Sequence, residues 1–174
     1  SQAAGYVTAA GNITPWLNEL AFAPVDYRAD APRDEWSGDA GCGVQYFSQQ
    51  GAARLAALAG FDFPASQPLP ERLVAIQAAL GRGDQRAGAI FESIGICFGY
   101  AVAHYADFYE IQNLLILGRV TSGAGGELIL ARAAEVLRAE FPALADKIRL
   151  RTPDEKDKRH GQAIAAASLP RIAK

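Results

Sequence analysis

The chain has 174 residues, of which half are hydrophobic and 21% are charged, and its formal net charge is −2. This length supports one domain with a substantial core, but not two domains of ordinary size. The slightly acidic balance argues against a general nucleic-acid surface or an acidic-membrane surface, because both need a clear excess of Lys and Arg.

Cysteine usage and hydropathy indicate a cytoplasmic protein. Cys42 and Cys97 lie far apart and are typical of reduced thiols rather than of a disulfide framework. Glycine, proline or charge interrupts every apolar run before it reaches membrane-spanning length, and no secretory leader is recognisable. The sequence contains no methionine, even at position 1. We therefore expect it to be an excised or processed piece of a longer protein.

The N-terminal part of the chain predicts strands followed by a long loop. A short strand is expected over 5–8, and a second strand over 16–25 that ends near Pro24, which cannot donate to a central ladder. Residues 26–43 are rich in Asp, Pro and Gly and show no helical period. They predict an irregular loop, and loops of this length are often functional.

Helical periodicity begins at residue 44. Apolar residues recur on one face over 44–59, with Gly60 as a C-cap, and a connector containing three prolines separates this helix from a short helix over 71–80. Asp84 is a natural N-cap for the next helix, which reaches residues 105–108. That helix is apolar nearly all round, so we expect it to be central in the fold.

Two glycines interrupt this central helix. Gly95 and Gly99 lower helix propensity without any local compensation in the sequence. We therefore expect another backbone to approach the helix closely at these two glycines.

The C-terminal part predicts a β-α-β-α order. It comprises a strand over 114–117, a glycine-rich turn, a helix over 127–141, a strand over 147–151 and an alanine-rich helix over 161–168. Strands that alternate with helices are typical of a partly parallel sheet. The predicted fold class is therefore α/β, with a mixed sheet flanked by helices.

The glycine-rich turn is the strongest candidate for a binding site. It carries Gly118, Thr121, Ser122, Gly125 and Gly126 between a strand and a helix. This order exposes unpaired amides at a helix N-terminus, where an anion or a nucleotide can dock. A plain βα connection needs the same small residues, so the local pattern alone does not distinguish the two.

Several catalytic motifs are missing from the sequence. It has no Walker-type phosphate loop, no His-Glu-x-x-His and no Cys-x-x-Cys. His104 is predicted to be a core histidine, and His160 to be a capping or loop residue. The glycine spacing after Leu117 does not follow the dinucleotide-binding pattern. No residue of this chain is therefore assigned a catalytic role, and no metal ligand is assigned.

Four stretches of the sequence, in order, resemble motifs of one family. They are Asn-Glu-Leu-Ala-Phe-Ala-Pro-Val at 18–25, Ser-Gly-Asp-Ala-Gly-Cys-Gly-Val-Gln-Tyr-Phe-Ser at 37–48, Leu-Gly-Arg-Val-Thr-Ser with two later glycines at 117–126, and His-Gly-Gln-Ala-Ile-Ala-Ala-Ala at 160–167. They are similar to motifs in the C-terminal lobe of the ROK family, which contains repressors, uncharacterised reading frames and sugar kinases. The resemblance implies a ribonuclease-H-like (actin-like ATPase) lobe forming one domain over 1–174, without its N-terminal lobe.

The resemblance also implies ligands and partners. The five turn residues named above would line the adenosine side of an ATP cleft, and Glu19 would hold a sugar hydroxyl. Arg119 stands where the family prefers glycine. The intact parent would use ATP with magnesium and a small carbohydrate. Its partners would be its own N-terminal lobe and a second copy in a homodimer, and no nucleic acid or membrane is expected to bind this lobe.

The chain departs from the family at the zinc and sugar positions. Family kinases bind a structural zinc where this chain has Phe22, Glu35, Ser37 and Cys42, and one thiolate cannot build the usual tetrahedral site. We expect no zinc, and a loop held by packing, with Phe22 and Trp36 as the replacements.

The sugar-holding positions have changed as well. The resemblance places Glu19, Phe22 and Val44 there, so only Glu19 remains as an acceptor, and Glu19 is equally well interpreted as an exposed strand residue without a ligand. A different or modified sugar could use Gln45, Tyr46 or Asp39.

The function implied by the resemblance is a nucleotide- and sugar-binding lobe of a sugar kinase-like protein. The family's catalytic aspartate and phosphate loop belong to the N-terminal lobe, so only an intact parent would phosphorylate a sugar, and this chain by itself would be inactive. Two alternatives are a sugar-sensing domain of a ROK-type transcriptional regulator and a non-catalytic structural or dimerisation lobe.

Overall fold

The computed structural model describes residues 2–14 and 19–152 and confirms the α/β class. The elements in chain order are β1 (Tyr6–Val7), β2 (Ile13–Thr14), α1 (Val44–Phe47), α2 (Gln49–Leu58), α3 (Leu69–Gly81), α4 (Gln85–Tyr105), β3 (Asn113–Leu115), α5 (Gly123–Glu140), α6 (Pro142–Ala145) and β4 (Arg149–Arg151). The predicted final helix over 161–168 and His160 lie outside the described residues.

The strands form two small sheets. β1 and β2 pair antiparallel, with Tyr6 opposite Thr14, whereas β3 and β4 pair parallel, with Leu114 opposite Leu150. The expected parallel pairing is therefore confirmed. Within the described residues, the strands make two separate two-stranded sheets rather than the one mixed sheet that the sequence predicts.

Helix α4 is the centre of the core, as its all-round apolar sequence predicts. Phe91 and Val102 on this helix are completely buried, and Asp84 caps its start by accepting a hydrogen bond from the amide of Arg86 at 2.9 Å. A Cβ added at Gly95 would lie 2.7 Å from the carbonyl oxygen of Ile129 in α5. The predicted close approach of a second backbone is therefore confirmed, and that backbone belongs to α5.

Helix α4 also has the length and hydropathy of a membrane span. Its most apolar window has a mean hydropathy of 1.3, but 56% of that window is buried inside the protein. Length and hydropathy of a single helix are weak evidence of a membrane span, because a buried core helix passes the same test.

The structure corrects the predicted strand over 16–25. Residues 15–18 lie outside the described parts, and residues 19–25 form turns, with only Pro24 in an isolated bridge to Cys42. The strand in this region, β2, instead lies at Ile13–Thr14, before the predicted range begins. The apolar residues Leu20, Ala23 and Val25 pack against the end of helix α4 without pairing in a sheet, which explains why their alternation is imperfect.

Two predicted helices have different limits in the structure. The helix over 44–59 is divided at Ser48, whose extended backbone ends α1 and whose hydroxyl accepts a hydrogen bond from the amide of Gln50 at 3.0 Å to cap α2. The helix predicted to begin at 127 begins four residues earlier, at Gly123. Gly125 and Gly126 therefore lie inside the first turn of α5 and not in the loop before it.

Candidate functional site

The turn between β3 and α5 is held by its own hydroxyl groups. The Oγ1 of Thr121 donates to the carbonyl oxygen of Gly118 at 3.0 Å, and the Oγ of Ser122 donates to the same oxygen at 3.2 Å. Gln77 of α3 donates to the carbonyl of Arg119 at 2.9 Å, and Val120 is buried beneath the turn. The two hydroxyls predicted to line a nucleotide site thus shape the turn itself.

The glycines of the turn fall into two groups. Gly125 and Gly126 are buried, because a Cβ at Gly125 would lie 2.7 Å from the Phe91 ring and one at Gly126 would lie 2.0 Å from the Thr121 carbonyl oxygen. Gly118 (φ +135°) and Gly123 (φ +60°) are exposed, and nothing lies within 4 Å of the position of their Cβ. Packing therefore requires glycine at positions 125 and 126, whereas the space beside Gly118 and Gly123 is open.

The open space lies at the start of α5. The side chain of Ser122 makes no capping hydrogen bond to this helix, and Gly123 and Ala124 are exposed. The first-turn amides of an α-helix have no partner within the helix and carry partial positive charge, so they favour an anion. Arg119 is exposed in the same turn. The part of the turn that can contact a ligand is therefore centred on Gly118, Gly123 and Ala124.

Glu19 is exposed at the opposite end of the central helix. Its neighbour Leu20 packs against the cluster of Ala101, Tyr105 and Tyr109, whereas the turn packs against Phe91. Residues 91 and 101 are ten positions apart in α4, a rise of about 15 Å. The structure thus brings the five turn residues together, and it does not bring Glu19 to them.

The residues suggested as alternative sugar contacts are engaged in the protein. The Gln45 amide donates to the carboxylate of Asp34 at 3.5 Å, and the Tyr46 hydroxyl donates to that of Asp26. Val44 is buried. Asp39 is exposed, and it remains accessible to a ligand together with Glu19.

A buried carboxylate organises the loop in which family kinases bind zinc. Asp34 is only 5% exposed, and its Oδ2 accepts hydrogen bonds from the amides of Ser37 at 2.8 Å and Trp36 at 3.2 Å. The hydrogen bond from the Ser37 amide lowers the pKa of Asp34, and this favours the ionised carboxylate. Phe22 and Trp36 also pack together, with ring centroids 5.5 Å apart. These are the two residues that the sequence offers as replacements for zinc, but they are 40% and 84% exposed, so the hydrogen bonds of Asp34 hold the loop more than aromatic packing does. No signal in the sequence pointed to Asp34.

The donor set of this loop does not fit zinc. Burial raises the pKa of the Cys42 thiol, which disfavours the thiolate that a metal needs. Glu35 and Ser37 are exposed, and Phe22 offers no ligand atom. Within residues 2–14 and 19–152, no group of three or more His, Cys, Asp or Glu side chains is arranged to hold a metal.

A second polar cluster ties the start of the loop to helices α1 and α2. The Arg28 guanidinium contacts the carboxylate of Asp26 at 2.7 Å, and Arg54 lies over the Tyr46 ring at 5.3 Å from its centroid. The hydrogen bond from Arg28 holds the pKa of Asp26 well below its usual range, and burial raises the pKa of Tyr46 to about 12. The Asp-x-Arg spacing was visible in the sequence, but the twenty-residue separation of Asp26 from Tyr46 concealed the cluster.

We expect this cluster to make stability depend on acid pH through Asp26. The pKa of Asp26 is lower in the folded protein than in the unfolded chain. The ionised carboxylate therefore stabilises the fold fully above the unfolded pKa of about 3.9, and this stabilisation is lost as the pH falls through the folded-state pKa. Asp26→Asn should lower the Tm at pH 7 by about 2–4 °C. Between pH 7 and pH 2, the Tm of this variant should also fall less steeply than the Tm of wild type.

The control for this prediction is Asp62→Asn, at an exposed aspartate in the connector before α3. Its Tm should follow the wild-type pH profile. Parallel profiles for wild type and Asp26→Asn would show that the carboxylate of Asp26 does not stabilise the fold.

Comparisons with known proteins identify a fold relative. No protein-family model and no curated protein sequence matches this chain. Among solved structures, it is similar to a ROK family transcriptional regulator described as a homologue of the E. coli Mlc protein, with a TM-score of 0.63 and 19% sequence identity. The match covers 82% of this chain but 37% of that protein. The resemblance predicted from the motifs is thus confirmed at the level of the fold: this chain is folded like a part of a ROK family transcriptional regulator.

Proposed function

We propose that this chain is a nucleotide- and sugar-binding lobe of a ROK-type protein, with the ribonuclease-H-like fold of the actin-like ATPases. The observation that supports it is the start of α5, where open glycines adjoin uncapped first-turn amides. A phosphate group fits such a site because backbone amides can donate to it. ATP with magnesium is the proposed nucleotide of the complete protein. It would be held at Gly118, Gly123 and Ala124, while Thr121, Ser122, Gly125 and Gly126 shape the turn behind them.

The proposed sugar contact is Glu19, which lies at the other end of α4. Phosphoryl transfer needs a positioned acceptor and charge neutralisation around the phosphate, and no catalytic residue is assigned in this chain. The proposal therefore places catalysis in the complete protein, which would be cytoplasmic and homodimeric. This lobe alone would be inactive as a carbohydrate kinase.

A second candidate is a sugar-sensing lobe of a transcriptional regulator. Two observations favour it: the fold relative is such a regulator, and Phe22 and Val44 replace two of the family's sugar-holding residues. ATP-dependent phosphorylation of a sugar by the complete protein would support the kinase. Sugar binding without turnover would support the regulator, and the absence of any ligand response would leave a structural or dimerisation lobe.

The nucleotide site is tested by placing a negative charge at the start of α5. Ala124→Glu should weaken ADP binding by the complete protein at least about 10-fold, since a carboxylate beside the first-turn amides repels phosphate and competes for them. The Tm should stay the same or rise slightly, because an acidic residue in the first turn favours the helix dipole. Calorimetric titration with ADP gives the affinity.

The matched control is Ala131→Glu, at an exposed alanine about two turns further along the same helix. This variant should bind ADP as wild type does. Equal affinity of Ala124→Glu and wild type, or no binding by wild type, would remove the nucleotide from the proposal.

A further inference from the structure

Two aromatic side chains lie on the surface next to the proposed sugar contact. Trp36 is 84% exposed and Phe22 is 40% exposed, and their ring centroids are 5.5 Å apart at an angle of 35°. The amide of Phe22 donates to the carbonyl oxygen of Glu19 at 3.3 Å. One turn of the chain therefore connects Glu19 to these two rings, which we call the aromatic platform.

The backbone that carries Trp36 is fixed without help from its side chain. The amide of Trp36 donates to the buried carboxylate of Asp34 at 3.2 Å, and the amide of Asp34 donates to the carbonyl oxygen of Asp39 at 2.8 Å. These hydrogen bonds close the loop, and none of them uses the indole ring. Most of the ring surface is therefore held in a defined position and is available to a ligand.

The aromatic platform has the size of a small-molecule contact. A large aromatic side chain offers about 150–250 Å², so exposed fractions of 40% and 84% leave roughly 200–300 Å² on the two rings. A stable protein interface needs about 800 Å² on each partner. The platform by itself is thus too small to hold a second copy of the chain or another protein.

The charges near the platform exclude an anionic ligand. Glu35 and Asp39 are exposed in the same loop as Trp36, and Glu19 is exposed beside Phe22. Arg33, the basic residue of this loop segment, donates to the carbonyl oxygen of Gly38 at 3.0 Å. Carboxylates accept hydrogen bonds from hydroxyl groups and repel phosphates and other carboxylates. A neutral ligand with several hydroxyl groups and an apolar face suits these surroundings.

We propose that Trp36 binds the C–H face of a pyranose sugar by stacking, while Glu19 and Asp39 accept hydrogen bonds from its hydroxyl groups. A pyranose combines a rigid apolar face with hydroxyl groups around its edge, so it matches a flat ring bordered by carboxylates. This inference rests on the proposed sugar contact at Glu19. It adds Trp36 as the residue that distinguishes a ring-form sugar from an open-chain polyol, which has the same hydroxyl groups and no rigid face.

Calorimetric titration of the complete protein with D-glucose, D-galactose and N-acetyl-D-glucosamine tests the stacking. For the sugar that wild type binds best, Trp36→Ala should weaken binding at least about 10-fold and Trp36→Phe less than about 3-fold, because a smaller aromatic ring remains. The Tm of Trp36→Ala should equal that of wild type, since the amide at position 36 still bonds to Asp34. The open-chain polyol D-glucitol should not bind.

The matched control is Tyr27→Ala, at another aromatic residue of this loop that is 76% exposed. This variant should bind the sugar as wild type does. Equal affinity of Trp36→Ala and wild type would overturn the inference and leave the sugar contact at Glu19 standing. Absence of binding of all three sugars by wild type would remove both. Tighter binding of tetramethylammonium than of any sugar would assign the platform to a cation and overturn the inference as well.

Tryptophan fluorescence gives an independent readout of the same contact. A stacked sugar shields the indole of Trp36 from water, so the emission of wild type should shift to shorter wavelength during the titration. Trp36→Phe should bind the sugar without this shift. A shift of the same size in Trp36→Phe would come from Trp16, the other tryptophan of the chain, and would show that the sugar does not contact Trp36.

Discussion

Replacing Gly126 by alanine is expected to destabilise the protein by about 3 kcal/mol, at the upper end of the cost of overpacking a core. The added Cβ would lie 2.0 Å from the carbonyl oxygen of Thr121 and 2.4 Å from its carbonyl carbon. Backbone atoms cannot rotate away as a side chain can, so either the turn or the start of α5 must move. Chemical denaturation of wild type and variant measures the loss.

The matched control is Gly123→Ala in the same helical turn. Gly123 has a φ of +60°, and nothing lies within 4 Å of the position of its Cβ, so only the left-handed backbone opposes the substitution. The expected cost is about 1 kcal/mol. A loss for Gly126→Ala no larger than that for Gly123→Ala would mean that the turn adapts and that Gly126 is not required by packing.

Gly125 and Gly126 match the family motif, yet the structure gives each of them a packing role against Phe91 or Thr121. Their presence would be required whether or not a nucleotide binds. The evidence for a ligand site therefore rests on the exposed atoms at Gly118, Gly123 and Ala124, and binding measurements there decide it.

Local signals in the sequence predicted the parts of the fold that depend on local physics. The apolar periodicity and the Asp84 cap located α4, because helical hydrogen bonds and capping involve residues within one turn. Gly95 and Gly99 indicated the approach of another helix, because glycine disfavours a helix and close packing is the usual reason for two glycines in its centre. Parallel pairing of β3 and β4 followed from the intervening helix α5.

Contacts between distant residues explain what the sequence did not reveal. Helix α5 begins at Gly123 although three of its first four residues are glycine, because contacts with Thr121 and Phe91 outweigh low propensity. Asp34 resembled any other loop aspartate, and only the fold shows that it collects amides from its own turn and from Gln45. Likewise, the separation of Glu19 from the turn depends on where each packs along α4.

The contact between α4 and α5 gives the second large effect. Gly95→Ala is expected to destabilise the protein by up to about 2 kcal/mol, although alanine is the better helix former by about 1 kcal/mol. A Cβ at this position would lie 2.7 Å from the Ile129 carbonyl oxygen and 2.8 Å from the Cβ of Arg132. The overpacking cost of about 1–3 kcal/mol therefore exceeds the gain in propensity when the helices cannot separate freely.

Gly88→Ala supplies the control on the same helix, with the opposite expected sign. The nearest atom to a Cβ at Gly88 is the Cδ1 of Leu80, at 4.0 Å, so the substitution should stabilise the protein by up to about 1 kcal/mol. The free energy of unfolding of the two variants should thus change in opposite directions. Stabilisation of both variants would contradict the prediction, because it would mean that α5 moves away from α4 at little cost and that close packing does not require glycine at position 95.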